Sequence, residues 1–190
     1  MIGIDEVGRG AWAGPLLVVA ARLKPGQKLP LGLRDSKLLS AKQRQSLAVE
    51  IVKSCDIGQG WVSADIIDKL GLSRSLKSAT MLAVMDVAVS KNEEIVIDGN
   101  INFLDSTSYV NVRTKVKADQ TLPIVSAASV VAKVLRDQLM VEISQKYPDY
   151  NFQKNVGYGT ANHRQALSLF GPCRVHRNSF KPIKALVANG

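Results

Sequence analysis

Apolar and polar residues fall in short blocks along this chain, and the blocks predict strands first and helices between and after them. Ile2-Gly3-Ile4-Asp5 reads as a short strand, and Gly14-Pro15 opens a second, Leu16-Leu17-Val18-Val19-Ala20-Ala21. Pro25-Gly26 and Pro30 mark a loop that carries Arg34-Asp35-Ser36-Lys37. Ser40, followed three residues later by Gln43, forms a capping box and starts a helix that runs to Val52. Gly58-Gln59-Gly60-Trp61-Val62 is a third strand. Ser63 caps a short helix ending near Gly71, and Ala79, Leu82, Ala83, Met85, Val87 and Val89 then recur at helical spacing. Glu94 to Asp98 is a fourth strand that ends in a carboxylate, and Val112 to Asp119 reads as extended. Ser129 through Tyr147 is a helix stopped by Pro148, and Thr160 to Phe170 is the last helix, ended by Gly171-Pro172. Strands that come first and then alternate with helices predict an α/β class with a mixed β-sheet flanked by helices. We expect one domain, with a core over 1–148 and a small C-terminal helical lobe over 149–190. No internal repeat, low-complexity tract or interdomain linker interrupts it.

Composition changes this picture in one respect. Over 190 residues, 46% apolar and 22% charged content are ordinary for a globular domain, but a formal net charge of +9 is not. It points to nucleic acid, an acidic membrane face or ribosomal company. No apolar run approaches the roughly 20 residues needed to cross a bilayer, and the N-terminus has no basic, apolar and small-residue leader. A cytoplasmic location without membrane contact is therefore expected. Cys55 and Cys173 form no C-x-x-C pair, and His163 and His176 have no zinc-ligand spacing to them. Any metal here is expected to be held through oxygen.

The acidic pair Asp5-Glu6, at the end of the first apolar run and just before Gly8-Arg9-Gly10, is where such oxygens collect. Juxtaposed carboxylates in an apolar context repel each other unless cations neutralise them. Asp98 shares the context of Asp5, a Val/Ile-rich strand followed by glycine, and sites in open α/β sheets gather at the carboxyl ends of strands. Two Mg²⁺ or Mn²⁺ ions roughly 4 Å apart, held by such carboxylates, activate water and stabilise a leaving 3′ oxygen. Because neighbouring strand residues point to opposite faces, the strand is expected to end or twist at Glu6, which makes Asp5 the more central ligand and Glu6 the peripheral one. Asp35, Asp105, Asp119 and Asp137 are all candidates for a fourth ligand, and their spacing does not decide between them. Gly8-Arg9-Gly10-Ala11-Trp12-Ala13 also matches a dinucleotide-binding fingerprint, but Gly14-Pro15 and Val18-Val19 favour a strand where that motif needs a helix. Lys37, Lys115, Lys117, Lys133, Arg136, Arg174, His176, Arg177 and Lys181 together suggest a phosphate track. Tyr158, between Gly157 and Gly159, is suited to lay its ring on a sugar or base.

These residues resemble ribonuclease HII, the type 2 ribonuclease H family, over nearly the whole chain. The resemblance rests on Gly3-Ile4-Asp5-Glu6-Val7-Gly8-Arg9-Gly10 with Ala13-Gly14-Pro15, on Asp35-Ser36-Lys37-Leu38-Leu39, and on Ile97-Asp98-Gly99-Asn100. It continues through Lys117-Ala118-Asp119, the run from Ser126 to Asp137, Gly157-Tyr158-Gly159-Thr160 and His176-Arg177-Asn178-Ser179-Phe180. It implies a ribonuclease H-like fold and two-metal hydrolysis of the RNA strand in RNA–DNA hybrids. It also implies incision 5′ to single ribonucleotides embedded in duplex DNA, leaving 3′-hydroxyl and 5′-phosphate ends. The family's catalytic, metal-binding carboxylates map onto Asp5, Glu6, Asp98 and Asp119. Gly8-Arg9-Gly10 matches the turn whose backbone senses the 2′-hydroxyl, Tyr158 the residue at the ribonucleotide–deoxyribonucleotide junction, and Lys37 a lysine near the substrate backbone. The chain departs from the family in Ala11-Trp12, a stretch that is often Pro-containing, and it is expected to lack the terminal extensions that some members use to grip duplex or partners. A monomer is expected, and no sequence feature supports recruitment by a sliding clamp. Two other readings remain open: a non-catalytic nucleic-acid-binding module, and a type 3 relative that prefers long hybrids.

Overall fold

Five strands make one mixed sheet in the order β3-β2-β1-β4-β5 in the computed structural model, which describes residues 1–33 and 39–187. They are β1 (Ile2–Val7), β2 (Leu16–Leu23), β3 (Cys55–Val62), β4 (Ile95–Asp98) and β5 (Val112–Lys115). β1 pairs antiparallel with β2 and parallel with β4, and β4 pairs parallel with β5. Ile2, Ile4, Leu17 to Ala21 and Ile95 to Ile97 are all buried. Strands covered on both faces lose their polar alternation, which is why these segments read as continuous apolar runs in the sequence. The α/β class with a mixed sheet is the one observed.

The helices are α1 (Ala41–Ser54), α2 (Ala64–Leu70), α3 (Leu72–Asp86), α4 (Ala118–Thr121), α5 (Pro123–Lys146), α6 (Phe152–Asn155), α7 (Ala161–Phe170) and α8 (Lys181–Val187). The capping box before α1 is formed: Gln43 N–H donates to Ser40 Oγ at 3.3 Å and Ser40 N–H to Gln43 Oε1 at 2.9 Å. Ser63 and Thr160 cap α2 and α7 in the same way, through Ile66 N–H and His163 N–H. Several segments differ from the sequence reading: β3 begins at Cys55, α3 ends at Asp86 short of Val87 and Val89, and α6 was not expected. β1 does not end at Glu6 but continues to Val7. α5 begins at Pro123 rather than Ser129, because Val125 to Val131 are buried on every side and show no polar face. The expected extended run from Val112 to Asp119 stops at Lys115, and Lys117, at φ 57°, turns the chain into α4. α8 escaped the sequence reading altogether.

Packing divides the chain into two compact units. The first comprises Met1–Val7, Leu17–Trp61 and Leu76–Val134, and the second Gly8–Leu16, Val62–Ser75 and Leu135–Gly190. In the first, glycines let helices touch strands backbone to backbone. A Cβ on Gly3 would enter the Ile124–Val125 peptide of α5, and one on Gly60 would enter the carbonyl of Ala79 in α3. In the second, Ala13, Met140, Tyr150, Phe152, Ala166, Leu167 and Ile183 form an apolar cluster. His163 and His176 are fully buried beside its aromatic rings, with Tyr150 and Phe152 stacked 5.4 Å apart.

The His163 proton is assigned by its partner. The Tyr158 carbonyl can only accept, so His163 Nδ1, at 3.0 Å, carries a proton. His163 Nε2 lies 3.0 Å from His176 Nε2, and His176 Nδ1 meets both the N–H of Cys173 at 2.9 Å and its carbonyl at 3.1 Å. Burial lowers the pKa of His163, and burial first, then His163 alongside, brings His176 to about 4.

Two consequences can be measured. Replacing Gly60 by Ala drives a methyl into an immovable helix carbonyl and should cost on the order of 3 kcal/mol. Thermal melting should show this as a drop of roughly 6–12 °C, and an unchanged melting temperature would contradict the contact. For His176 the folded pKa lies below the unfolded one, so its contribution is intact above pH 6.5 and fades as pH falls towards 4. About 3 kcal/mol is lost by pH 4. The comparison with His176→Gln isolates this, because Asp5, with its pKa raised to about 7, gains stability over the same range: in urea unfolding, the native chain should lose about this much more than the variant between pH 7 and pH 4.

Candidate active site

Asp5 is placed by the approach of α5 to β1. Gly3 and Asp5 lie on one face of the strand, two residues apart. The bare Gly3 brings the first turn of α5 onto that face, and Ser129, further along the helix, hydrogen-bonds the Asp5 side chain. The carboxyl is 8% exposed, and its Oδ1 also accepts the N–H of Glu6 at 2.8 Å. Burial raises its pKa most. The Ser129 bond opposes that rise, and the charges of Glu6 and Asp98 add to it, so the group is pushed up to about 7. Glu6 follows Asp5 on the strand and pairs with Val18 inside the ladder. It is half-buried, and its charge still acts on Asp5.

Asp98 ends β4 one residue beyond the Ile4–Ile97 pair and opposite Lys115 of β5, which sets it beside Asp5 on the neighbouring parallel strand. Its Oδ1 accepts the N–H of Ala118 at 2.6 Å, which fastens the first turn of α4 to the end of β4. Asp119 is the next residue, 5% exposed, and its carbonyl accepts from Ser126 Oγ. The left-handed Lys117 is what brings Asp119 back here; the straight extended strand expected from the sequence would have carried it past. Of the other candidates, Asp105 is drawn into an exposed ion pair with Lys77 at 3.1 Å, Asp137 belongs to the second unit, and Asp35 lies outside the described residues.

The four mapped carboxylates thus share the first unit. Asp5, Glu6 and Asp98 are coupled by charge, and Asp119 is bound next to the atom that anchors Asp98. Among the described residues, no three His, Cys, Asp or Glu side chains are gathered tightly enough to hold a metal as they stand. The donor chemistry nonetheless fits a divalent cation. The donors are hard oxygens, and the buried Asp5 carboxyl is raised by like-charged, half-buried neighbours, Glu6 and Asp98, whose repulsion such an ion relieves.

The remaining predicted residues belong to the second unit, apart from Lys37, which lies outside the described residues. Gly8, at φ 82°, is buried against Arg136, and a Cβ there would enter the guanidinium. Arg9 and Gly10 are exposed, and a Cβ on Gly10 would meet nothing. Tyr158 is 36% exposed, with Arg136 Cζ 5.7 Å from its ring centre. The flanking glycines are contacts rather than hinges: Gly157 presses on the Ala13 carbonyl and Gly159 on the Trp12 indole. Sequence reasoning gave no site role to Ser129, and it treated Arg136 and Arg177 as surface phosphate binders. Both arginines are 0% exposed. Burial first lowers the pKa of each, bringing Arg177 to about 9. The signal was available for Arg136, which falls in a helical stretch otherwise rich in Val, Ala and Leu.

Known proteins share this chain's sequence pattern and fold. The sequence profile described as Ribonuclease HII matches residues 2–183. Ribonuclease HII of Jannaschia sp. (strain CCS1) is 40% identical over 188 residues, 97% of this chain and 91% of the relative. Among solved structures, the PCNA:RNase HII complex from Archaeoglobus fulgidus superposes with a TM-score of 0.82 at 27% identity, covering 97% of this chain and 95% of the other. Bst-RNase HIII in complex with Mn²⁺ shares the fold, with a TM-score of 0.71 at 21% identity over 99% of this chain and 69% of its own. The sheet with its flanking helices is therefore a ribonuclease H-like fold, and the chain belongs to the ribonuclease HII family, making it a metal-dependent hydrolase that acts on RNA.

Proposed function

We propose that this endoribonuclease of RNA–DNA hybrids also incises duplex DNA 5′ to single embedded ribonucleotides, leaving 3′-hydroxyl and 5′-phosphate ends. The observation that carries the reading is the Asp5 carboxyl, buried within β1 beside Asp98 and raised by both its burial and its acidic neighbours. A carboxylate is kept in so costly a place when it serves a cation. Asp5, Glu6, Asp98 and Asp119 would hold Mn²⁺ or Mg²⁺, two ions during catalysis. When bound, such ions polarise a phosphodiester and lower the pKa of water. The chain's own part is to keep these oxygens in place: Ser129 orients Asp5, and the Ala118 N–H orients Asp98 and keeps Asp119 beside it.

Recognition of the ribonucleotide is assigned to Gly8-Arg9-Gly10 and Tyr158. Gly10 supports this assignment in a way that Gly8 does not. Gly8 is required by its own φ and by Arg136, whereas Gly10 is exposed, has open space around it and answers no need of the fold. A bare backbone there suits close approach by a sugar, and the 2′-hydroxyl is what separates RNA from DNA at one position. The net charge of +9 supports phosphate binding, with Lys37 as one contact. The substrate partners are RNA–DNA hybrids and ribonucleotide-containing duplex, acted on by a monomer in the cytoplasm. A sliding-clamp contact, as in the A. fulgidus complex, belongs to the same proposal. No helix among the described residues is long and apolar enough to cross a membrane.

The test is incision of a duplex carrying one ribonucleotide, with Mn²⁺ or Mg²⁺ titrated in; an intact duplex at every concentration would overturn the reading. Asp5→Asn should lower cleavage at least ~100-fold, while the metal-free protein melts no lower than the native chain, because a buried repulsive charge is gone. Mn²⁺ should raise the melting temperature of the native chain and not that of Asp5→Asn. Near-normal turnover in the variant would remove Asp5 from the ligand set. Gly10→Ala should leave the melting temperature unchanged and cut single-ribonucleotide incision roughly tenfold. Unaltered incision would show that nothing approaches that backbone.

A further inference from the structure

Arg136 is 0% exposed, yet every polar atom of its guanidinium is used on backbone. Nε donates to the Pro15 carbonyl at 2.9 Å, Nη2 to the Ala13 carbonyl at 3.2 Å, and Nη1 to the Val156 carbonyl at 2.9 Å. The same planar group lies against Gly8, and its Cζ is 5.7 Å from the Tyr158 ring centre. One side chain therefore touches the start of the Gly8-Arg9-Gly10 turn, the end of that loop, the peptide before Gly157 and the ring of Tyr158. A rigid five-donor fork can hold several carbonyls at fixed angles, which an ammonium on a flexible stem cannot. Burying that charge is costly, and surface stability would not call for it.

Arg177 completes the loop from its other side. It is also 0% exposed, and it donates to the Gly14 carbonyl at 3.1 Å and 3.0 Å and to the Arg9 carbonyl at 3.1 Å. Its own segment is held by Asp68, which accepts Asn178 N–H at 2.8 Å, Ser179 N–H at 2.9 Å and Ser179 Oγ–H at 2.6 Å. Arg177 thus shapes the loop, and Arg136 bonds the loop while lying over the Tyr158 ring.

We propose that Arg136 is a positioning residue for sugar discrimination: it sets the Tyr158 ring in register with the Gly8-Arg9-Gly10 turn, and that register decides the preference for a lone ribonucleotide over a long hybrid. The inference rests on the reading of these two elements given above. A long hybrid offers a 2′-hydroxyl at every position and tolerates a shifted ring. A single ribonucleotide offers one junction, and a displacement of the ring relative to the turn loses it.

The experiment compares kcat/KM on a duplex with one ribonucleotide and on a long RNA–DNA hybrid, both with Mn²⁺, for the native chain, Arg136→Lys, Tyr158→Ala and the double variant. Arg136→Lys should lower the single-ribonucleotide to long-hybrid ratio about tenfold. Adding it to Tyr158→Ala should lower the ratio no further, since without the ring there is no register to keep. A loss shared equally by both substrates, or losses that multiply in the double variant, would mean that Arg136 only supports the fold and would overturn the proposal. If Arg136→Lys does not melt cooperatively, Gly8→Ala serves instead, because its methyl displaces the guanidinium directly, and the same ratio and double-variant criteria apply. A native chain that cleaves neither substrate overturns the functional reading and this inference together. A native chain that cleaves both, with an unchanged ratio in the variants, overturns this inference alone.

Discussion

The contact of α5 with β1 at Gly3 is the constraint on which the first unit's chemistry rests. A helix that meets a strand backbone to backbone leaves no room for a side chain, and it brings its own polar residues within reach of the strand. Ser129 can bond Asp5 for this reason. The same closeness strips water from the carboxylate, and the Asp98 beside it adds like charge. The packing that holds the group in place thus also makes it costly in the absence of a cation. Stability has been spent where a metal can return it, in keeping with the tension between stability and activity seen at functional sites.

In the second unit the device is different. There the loop from Gly8 to Pro15 is stitched by backbone bonds, Trp12 N–H to Gly157, Gly14 N–H to Val175 and Arg177 N–H to Trp12, and then fixed by two buried guanidinium groups. Arginines aimed at carbonyls from within turn the loop's acceptors inward. Trp12 packs against Gly159 and takes part in an aromatic cluster with His163. Ala11, fully buried, and Trp12 are therefore built into the unit's own packing.

Basic residues in this protein consequently serve two distinct ends. Net positive charge favours a polyanion from a distance, and for that purpose any exposed lysine or arginine will do. Arg136 and Arg177 do not belong to that population, since neither has any exposed surface and both address the chain's own backbone. Counting them among phosphate contacts was a natural error of composition. Burial is a property of the fold, and a one-dimensional charge pattern does not contain it.

Much was legible in the residues themselves. The strand runs at Ile2, Leu16 and Ile95, the Ser40–Gln43 capping box and the Ser63 and Thr160 caps are local features, decided by side-chain shape and by donors within three residues. Asp98 could be placed at a strand end for the same reason, whereas Asp5 falls inside β1; the motif blocks named the family. Register and approach were settled by the tertiary structure. β1 runs through Glu6 because β2 pairs with it as far as Val7, and Asp119 sits in a helix because Lys117 adopts a left-handed turn secured by Asp98. α5 starts early because its first turns are buried all round, where no amphipathic pattern can form. What depends on neighbours within a few residues is written along the chain; what depends on a partner twenty or a hundred residues away exists only once the chain has closed on itself.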